Sequence, residues 1–334
     1  MSQSDFRIVT TRTPIRITFT GGGTDFPQFF KKSGLGAVVS ATINKYIYVT
    51  VARNFYSDEY RISYSKTENA IKSVDEIQHP TVREALRLLD IKGGIQIISI
   101  TEIPSRGTGL GSSSSFLVGL LLALHTWLGE YVTPKQLAEE AYHIEREILK
   151  EPGGMQDQYM AAYGGINLME FSPEDVKVNR LPINQTFKKE LESNLIMFYT
   201  GRERSSSSIH VRQTNQIDDH FETYKKMTKI ALDTAKSITD YDLNELGRLL
   251  KENWELKKTL SDGISDGEID QIYETGLRAG ALGGKLMGAG GGGFMLFLIP
   301  KVKRQKLIDA LSSYRVEPFS FEPFGARIIY TEDY

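Results

Sequence analysis

The sequence predicts a globular protein of strands and helices, built as one two-lobed unit or as two closely packed domains. Its 334 residues exceed the size of most single domains, and its 40% hydrophobic and 25% charged residues are typical of a chain that buries a large core. Strand-like alternation dominates residues 6–64, and helical patterns fill residues 208–280. Because the composition turns polar between 172 and 190, we expect domains at 1–185 and 186–334.

The first half of the chain alternates in the manner of β-strands. The expected elements are strands at 6–20, 36–43, 46–54, 60–64 and 95–100 and a helix at 80–90. Asn44-Lys45 is a plausible hairpin turn between the second and third strands, and Pro14 suggests a break or a sheet edge in the first.

The second half is richer in helical patterns. The expected elements are helices at 134–150, 208–239, 242–260, 267–280 and 301–314 and strands at 165–171, 195–199 and 325–331. We expect the last of these strands to close the second domain.

The overall composition excludes several classes of protein. A formal net charge of −2 offers no broad attraction to nucleic acids or acidic membranes. The absence of cysteine rules out a disulfide framework and thiol chemistry, which fits a reducing compartment. The beginning of the chain lacks an apolar signal core, and the most apolar run, 116–124, is too short to span a bilayer. We therefore expect a cytoplasmic protein with neither nucleic-acid nor membrane partners.

A glycine-rich loop between the strand at 95–100 and a buried apolar helix is the strongest candidate for a binding site. The loop runs from Pro104 to Ser115, and its glycines at 107, 109 and 111 allow positive φ angles and close backbone approach. Free N–H groups, a helix N-terminus and small hydroxyls suit a phosphate chain. The alternative is a flexible loop with an ordinary serine N-cap.

Two common phosphate loops do not fit this stretch. A Walker A loop requires lysine after its last glycine, and a dinucleotide fingerprint requires glycine at the sixth position from Gly107, but Ser112 occupies both positions. A dinucleotide-binding unit would also place a strand after the helix, whereas Thr133-Pro134 begins another helix.

Two acidic residues lie next to glycine-rich turns. Gly21, Gly22 and Gly23 precede Thr24 and Asp25, which permits a tight turn that fixes one carboxylate, although Asp25 could instead cap the next helix. Asp157 follows Glu151-Pro-Gly-Gly-Met-Gln near a helix start, where the helix dipole alone could explain an acid. Near the other end, Gly288 and Gly290–Gly293 between two strands cost backbone entropy, which indicates close approach to a ligand or another loop.

Together these stretches resemble the three motifs of the GHMP kinase superfamily. Pro104, Gly109, Leu110, Gly111, Ser112 and Ser113 match its second motif, Pro-x-x-x-Gly-Leu-Gly-Ser-Ser. Pro14-x-Arg16 with Gly21–Asp25 resembles the first motif, and Lys285-x-x-Gly-Ala-Gly-Gly-Gly-Gly resembles the third. The glycines of 21–23 replace the usual Gly-Glu-His centre, a departure that resembles the bacterial heptose 7-phosphate kinases of the superfamily.

The resemblance implies an α+β protein with the two-domain GHMP kinase fold. The N-terminal ATP-binding and catalytic domain would be of the ribosomal protein S5 domain 2-like type and the C-terminal domain ferredoxin-like, with the active site between them. It implies ATP and Mg²⁺ as cofactors, and Asp157 and Arg16 as catalytic residues. Mg²⁺ would be held by Ser113 and Glu145, with Glu147 as a weaker competitor. The nucleotide would contact Gly107, Thr108, Gly109, Leu110, Gly111, Ser112, Ser113 and Ser114.

The acceptor implied by the resemblance is a sugar phosphate, D-glycero-D-manno-heptose 7-phosphate, phosphorylated at its anomeric hydroxyl for nucleotide-activated heptose synthesis. Its expected contacts are Gly22, Gly23, Thr24, Asp25, Gly290 and Gly291. Arg202 and Arg204 beside a serine-rich helix start are our candidates for the acceptor's own phosphate, the alternative being a solvated loop. The alternatives are an L-fucokinase-like or galactokinase-like sugar kinase and a sensor that has lost catalysis. We also allow for a homodimer.

Overall fold

The computed structural model describes residues 6–56, 58–104, 107–202 and 206–333, and it arranges them as an eight-stranded sheet and a four-stranded sheet with helices packed on both. The strands are β1 (Phe6–Thr20), β2 (Gly36–Arg53), β3 (Tyr60–Ser63), β4 (Thr67–Ile71), β5 (Ile95–Thr101), β6 (Ile166–Phe171), β7 (Val176–Arg180), β8 (Leu195–Tyr199), β9 (Gly283–Leu286), β10 (Phe294–Leu298), β11 (Arg315–Val316) and β12 (Arg327–Asp333). The mixture confirms the α+β prediction.

The helices alternate with these strands along the chain. They are α1 (Pro27–Ser33), α2 (Pro80–Leu88), α3 (Ser112–Trp127), α4 (Pro134–Tyr142), α5 (Gln156–Tyr163), α6 (Gln185–Asn194), α7 (Ser206–Asn215), α8 (Phe221–Thr239), α9 (Leu243–Lys258), α10 (Gly267–Ala279) and α11 (Arg304–Ala310). Short 3₁₀ turns cover Val74–Glu76 and Lys301–Lys303, and a π-helical turn, His143–Ile148, continues α4. Within the described part of the chain, no helix is long and apolar enough to cross a membrane.

Strand β2 is the central strand of the larger sheet, whose order is β12-β1-β2-β5-β3-β4. Its first half pairs with β6 and its second half with β5, while β1 pairs along its other side. The predicted hairpin at Asn44-Lys45 is therefore wrong. Both residues instead contact distant parts of the chain. Asn44 exchanges hydrogen bonds with Ser320, and Lys45 forms an ion pair with Glu317.

The last strand does not close the second domain as predicted. β12 pairs antiparallel with β1, from Phe6↔Asp333 to Arg12↔Arg327, so the chain returns to the larger sheet. The segment before it is fastened to β2 by an Ile43↔Phe321 bridge and by the Thr42 hydroxyl, which donates to the Glu322 carbonyl at 2.7 Å. Pro14 lies beyond the stretch that β12 covers, and the strand continues through it with a shift of register against β2. The division at 185/186 stays a prediction.

Several polar segments are ordered more than the sequence suggested. β7 and the beginning of α6 lie in the polar stretch 172–190, and β4 lies between the elements predicted at 60–64 and 80–90. The helix expected over 208–239 is two helices, α7 and α8. α6 has an N-cap at Asn184, whose Oδ1 accepts from the Phe187 amide at 2.8 Å, and it buries Phe187 and Leu191. An edge strand or a helix with one narrow buried side carries few apolar residues, so its signal is weak.

Helix α3 is buried on nearly all sides, as its apolar run predicts, and it lies against β1 and β2. Gly119 permits the contact, because a Cβ atom there would lie 2.5 Å from the Thr13 hydroxyl. The Thr11 hydroxyl donates to the Gly119 carbonyl at 2.9 Å, and the Ser115 hydroxyl donates to the Pro14 carbonyl at 2.9 Å. The N-terminus of α3 is thereby fixed beside the middle of β1, close to Arg16.

Candidate active site

The loop before α3 has the backbone that a phosphate site needs. Gly107, Gly109 and Gly111 have φ angles of +70°, +72° and +76°, values that favour glycine. Gly111 is the N-cap, so the amides of Ser112–Ser114 are at the open end of a 16-residue helix. An exposed row of amides with the positive end of the helix dipole suits an anion.

A second glycine loop packs directly on the first. A Cβ atom at Gly109 would lie 2.5 Å from the Met287 carbonyl oxygen, and one at Gly288 would lie 2.4 Å from the Gly109 Cα. Likewise, a Cβ atom at Gly293 would lie 2.5 Å from the Thr108 carbonyl oxygen. The close approach predicted for the glycines around 288–293 is confirmed, and another loop is the partner.

Gly290 and Gly291, predicted acceptor contacts, lie elsewhere in this second loop. Gly290 packs against the Ile264 backbone, and the Gly291 amide donates to the Ile264 carbonyl at 3.0 Å. Among the residues of this loop, Gly288 is the one that lines the neighbouring cleft. The geometry therefore does not support acceptor contacts for Gly290 and Gly291.

Arg16 joins the first loop to an acid. Its Nε and Nη2 donate to Asp157 Oδ1 at 2.8 and 2.7 Å, and its Nη1 donates to the Gly109 carbonyl at 2.5 Å. The Arg16 amide also donates to the Leu110 carbonyl. Asp157 lies in the first turn of α5, and its Oδ2 takes no hydrogen bond from the residues that the structure describes. One carboxylate oxygen is thus anchored while the other stays available to a ligand.

Asp25 is the second carboxylate of the site and is only 1% exposed. Its Oδ1 accepts from the Gly23 amide at 2.9 Å, and its Oδ2 accepts from the Gln156 amide at 3.1 Å. Burial raises the pKa of Asp25, and the nearby charge of Asp157 adds to this effect. Asp25 does not cap α1, the alternative for this residue, because Phe26 is the N-cap of that helix.

The turn that presents Asp25 is held on both sides. The Thr24 hydroxyl donates to the Ala37 carbonyl at 2.7 Å, and the Gly21 amide donates to Asn253 Oδ1 at 2.9 Å. Gly154 is required here, because a Cβ atom would lie 1.9 Å from Asp25 Oδ2. Of the predicted acceptor contacts in this turn, Gly22, Gly23 and Asp25 line one cleft together with Arg16 and Asp157. Thr24 does not line it, because its side chain is buried against the Ala37 carbonyl.

Glu145 lies in the π-helical turn and is buried beside the first loop. Its carboxylate accepts from the Ser113 and Ser114 hydroxyls at 3.0 and 2.7 Å and from Gln158. Glu147 points outward and contacts His143 instead. No cluster of three acidic or histidine side chains that could hold a metal ion by itself occurs in the described ranges. Mg²⁺ does not require one, because it keeps several of its own waters and binds to few protein oxygens, such as a carboxylate next to a hydroxyl. The residues present therefore fit the ion predicted for Ser113 and Glu145.

The cleft between these elements has an empty volume of about 480 Å³ and is lined by several polar groups that the sequence did not single out. They are Arg146, His210, Gln213 and Lys257, and Lys285, the lysine of the third motif, lines the cleft with them. Burial lowers the pKa of Lys257 to about 8, lowers that of Lys285 well below its usual value, and lowers that of His210 to about 4. A lone lysine in an amphipathic helix gives no signal in a sequence, because most such lysines are solvated.

The predicted phosphate contacts Arg202 and Arg204 are not supported. Arg202 binds Asp266 at 2.7 Å and Glu268 at 3.2 Å, and these carboxylates raise its pKa. It does not belong to the described residues that line the cleft, although its carbonyl accepts from the Gly293 amide. Arg204 lies outside the described residues.

The site combines a helix N-terminus that suits an anion with an arginine and a free carboxylate oxygen, which are the groups that phosphoryl transfer needs. The fold is the two-domain fold of small-molecule kinases. The family model "GHMP kinases N terminal domain" matches residues 76–165, and "GHMP kinases C terminal" matches residues 234–316. The chain belongs to the GHMP kinase family, and it is an ATP-dependent kinase of small molecules.

Three relatives show the range of this likeness. D-glycero-alpha-D-manno-heptose 7-phosphate kinase of Campylobacter jejuni is 30% identical over 96% of this chain and 98% of its own length. L-fucokinase/L-fucose-1-P guanylyltransferase of Bacteroides fragilis is 26% identical over 88% of this chain, which corresponds to 35% of that longer protein. The crystal structure of a D-glycero-D-manno-heptose 1-phosphate kinase from Bacteroides thetaiotaomicron superposes with a TM-score of 0.81 at 28% identity, over 96% of this chain and 99% of that one.

Proposed function

We propose that this kinase transfers the γ-phosphoryl group of ATP to the anomeric hydroxyl of D-glycero-D-manno-heptose 7-phosphate and forms the 1,7-bisphosphate. The observation that carries the proposal is the Arg16–Asp157 pair, which lies between the phosphate loop and a cleft that also holds Asp25. The likeness to the Campylobacter jejuni kinase supports the choice of a heptose phosphate.

Each group has a place in the transfer. Asp157 Oδ2 accepts the proton of the anomeric hydroxyl. At the same time the hydroxyl oxygen bonds to the γ-phosphorus, and the bond between the γ-phosphorus and the oxygen that leaves with ADP breaks. Arg16 holds Oδ1 in place and stabilises the charge of the transferring group. The backbone of Gly107–Ser113 and the N-terminus of α3 bind the ATP phosphates. Ser113 and Glu145 would hold Mg²⁺, which supplies positive charge to the phosphate oxygens when bound.

A panel of acceptors tests the proposal. ATP consumption is measured with D-glycero-D-manno-heptose 7-phosphate, L-fucose, galactose, galacturonate and mevalonate, and the kcat/KM is expected to be highest for the heptose phosphate. A preference for L-fucose or galactose would make the chain another sugar kinase of the family. ATP-dependent turnover of none of the five would contradict the proposed acceptor.

The metal contacts are tested by Glu145→Gln. We expect the Mg²⁺ concentration for half-maximal rate to rise several-fold, because an amide is a poorer ligand than a carboxylate for a hard cation. Glu147→Gln, two residues along the same turn, is the matched control and should leave the requirement unchanged, since Glu147 points outward. If Glu147→Gln changes the requirement and Glu145→Gln does not, the assignment of the ligand is wrong.

A further inference from the structure

The cleft is lined by more basic than acidic side chains. Its described lining contains four basic side chains, Arg16, Arg146, Lys257 and Lys285, and two carboxylates, Asp25 and Asp157. Arg16 is engaged by Asp157, and Lys285 donates to the Thr18 carbonyl at 3.0 Å. Lys257 and Arg146 remain, and neither has a role in the phosphoryl transfer described above.

Lys257 is a buried cation with little to hold it. It is 4% exposed, and its Nζ makes one long hydrogen bond of 3.4 Å, to the Gly22 carbonyl. The charge of Asp25 acts on it, but no ion pair joins Lys257 to a carboxylate among the described residues. A buried ammonium group that lacks a direct partner costs free energy, which a bound anion would recover.

Gln213 on α7 gives an independent sign of a missing ligand. The side chain is 1% exposed and lines the cleft, yet its Nε2 has no hydrogen-bond partner among the residues that the structure describes. Within the same described residues, His210, one turn earlier, also leaves Nδ1 without a partner. Buried polar atoms in proteins are nearly always satisfied, so two such groups facing one cleft point to a polar ligand.

Arg146 is the third donor that lines the cleft. Its guanidinium lies 3.7 Å from Glu145 and 3.8 Å from Glu151, distances longer than a hydrogen bond, and its Nε donates to the Gly154 carbonyl at 3.3 Å. Gly153 makes room for it, because a Cβ atom there would lie 2.8 Å from Nη2. The guanidinium therefore keeps N–H groups for a ligand, and such a fork suits phosphate.

The three donors line the same cleft as Arg16 and Asp157. The charges of Lys257 and Arg146 both act on His210 of α7. Asp25, Arg16 and Asp157 act on Lys257, so this lysine faces the same space as the Arg16–Asp157 pair. An acceptor that places one hydroxyl at Asp157 would therefore bring its other polar groups into the space that these donors line.

We propose that Lys257, Arg146 and Gln213 form a subsite for the acceptor's own phosphate group. The subsite rests on the proposed function, since it assumes an acceptor that already carries a phosphate. It replaces the loop at Arg202, whose guanidinium is already paired with carboxylates. It also makes these three residues the ones that distinguish a sugar phosphate from a free sugar.

Calorimetric binding without ATP tests the subsite apart from turnover. The probes are D-glycero-D-manno-heptose 7-phosphate and D-glycero-D-manno-heptose, with Lys257→Met and Arg146→Gln as the variants. We expect each variant to weaken binding of the 7-phosphate by about tenfold or more, the scale of a charge-assisted hydrogen bond, and to leave binding of the free heptose unchanged. The KM for ATP should not change.

Lys258→Met is the matched control, because the adjacent Lys258 points away from the cleft and lies 2.9 Å from Glu255. It should bind both sugars as the wild type does. Thermal melting identifies a variant that fails to fold, in which case the other variant decides. The subsite is refuted if both folded variants keep the wild-type preference, or if they weaken the two sugars equally. A wild type that binds the 7-phosphate preferentially but phosphorylates neither sugar would refute the proposed function and leave the subsite standing.

Discussion

Asp157→Asn should lower turnover by about 10²–10⁴-fold, the usual contribution of a positioned general base. The amide keeps the size of the side chain, and its oxygen can still accept from Arg16, which binds Oδ1 through two nitrogens in the native site. What is lost is the second carboxylate oxygen, which has no partner among the described residues and is free to accept the proton of the acceptor. Steady-state kinetics with saturating ATP and acceptor measure the effect.

The controls separate chemistry from binding. The KM for ATP should stay near the wild-type value, because the phosphate loop is built from backbone amides and does not include the Asp157 side chain. Asp175→Asn, at an exposed aspartate that pairs with Lys135 on the surface, should retain full turnover. Near-normal turnover in Asp157→Asn would remove this residue from the mechanism.

Much of this site could be predicted from the sequence because its parts are local. Glycines before an apolar helix that begins with serines, and glycines before Asp25, determine a backbone shape within a few residues. Asp25 and Asp157 lie beside such segments, whereas Arg16 and Glu145 are implied by the resemblance to the GHMP kinases. The structure brings all four together around one loop and one cleft.

The errors arise where distant residues decide the outcome. Asn44 has the local character of a turn residue, but its hydrogen bonds with Ser320 hold it within the continuous strand β2, at the point where the register against β1 shifts. β12 follows the second sheet along the chain, but the edge of β1 offers it unpaired backbone groups. Such pairings join positions hundreds of residues apart, and no local pattern records them.

The same reason explains the arginine loop and the missed lysine. The serines and the second arginine near Arg202 are typical of a phosphate site, but Asp266, on a distant segment, pairs with the charge of the Arg202 guanidinium. In the sequence, Lys257 cannot be distinguished from a surface lysine of an amphipathic helix. In the structure it is buried, with its Nζ beside the Gly22 carbonyl. Burial and pairing decide the function of a cation, and both are properties of the tertiary structure.

Gly109→Ala should lower turnover by about 10²-fold, the cost of a displacement near 1 Å in an active site. Its φ of +72° already disfavours alanine, and the new Cβ would lie 2.5 Å from the Met287 carbonyl oxygen. Because the Met287 and Gly288 atoms that this Cβ would meet belong to the backbone, the two glycine loops must move apart. Gly109 also accepts from Arg16 Nη1, so the movement reaches the guanidinium that holds Asp157.

Gly34→Ala is the matched control for the strain of Gly109→Ala. Gly34 has a similar φ of +83° at the C-terminus of α1, but nothing lies within 4 Å of its added Cβ. It should lose about 1–2 kcal/mol of stability from the left-handed backbone alone and keep wild-type turnover. Urea unfolding and steady-state kinetics on both variants separate the two effects. Equal losses of stability with normal turnover in Gly109→Ala would show that the glycine loops tolerate separation, and that their contact does not position Arg16.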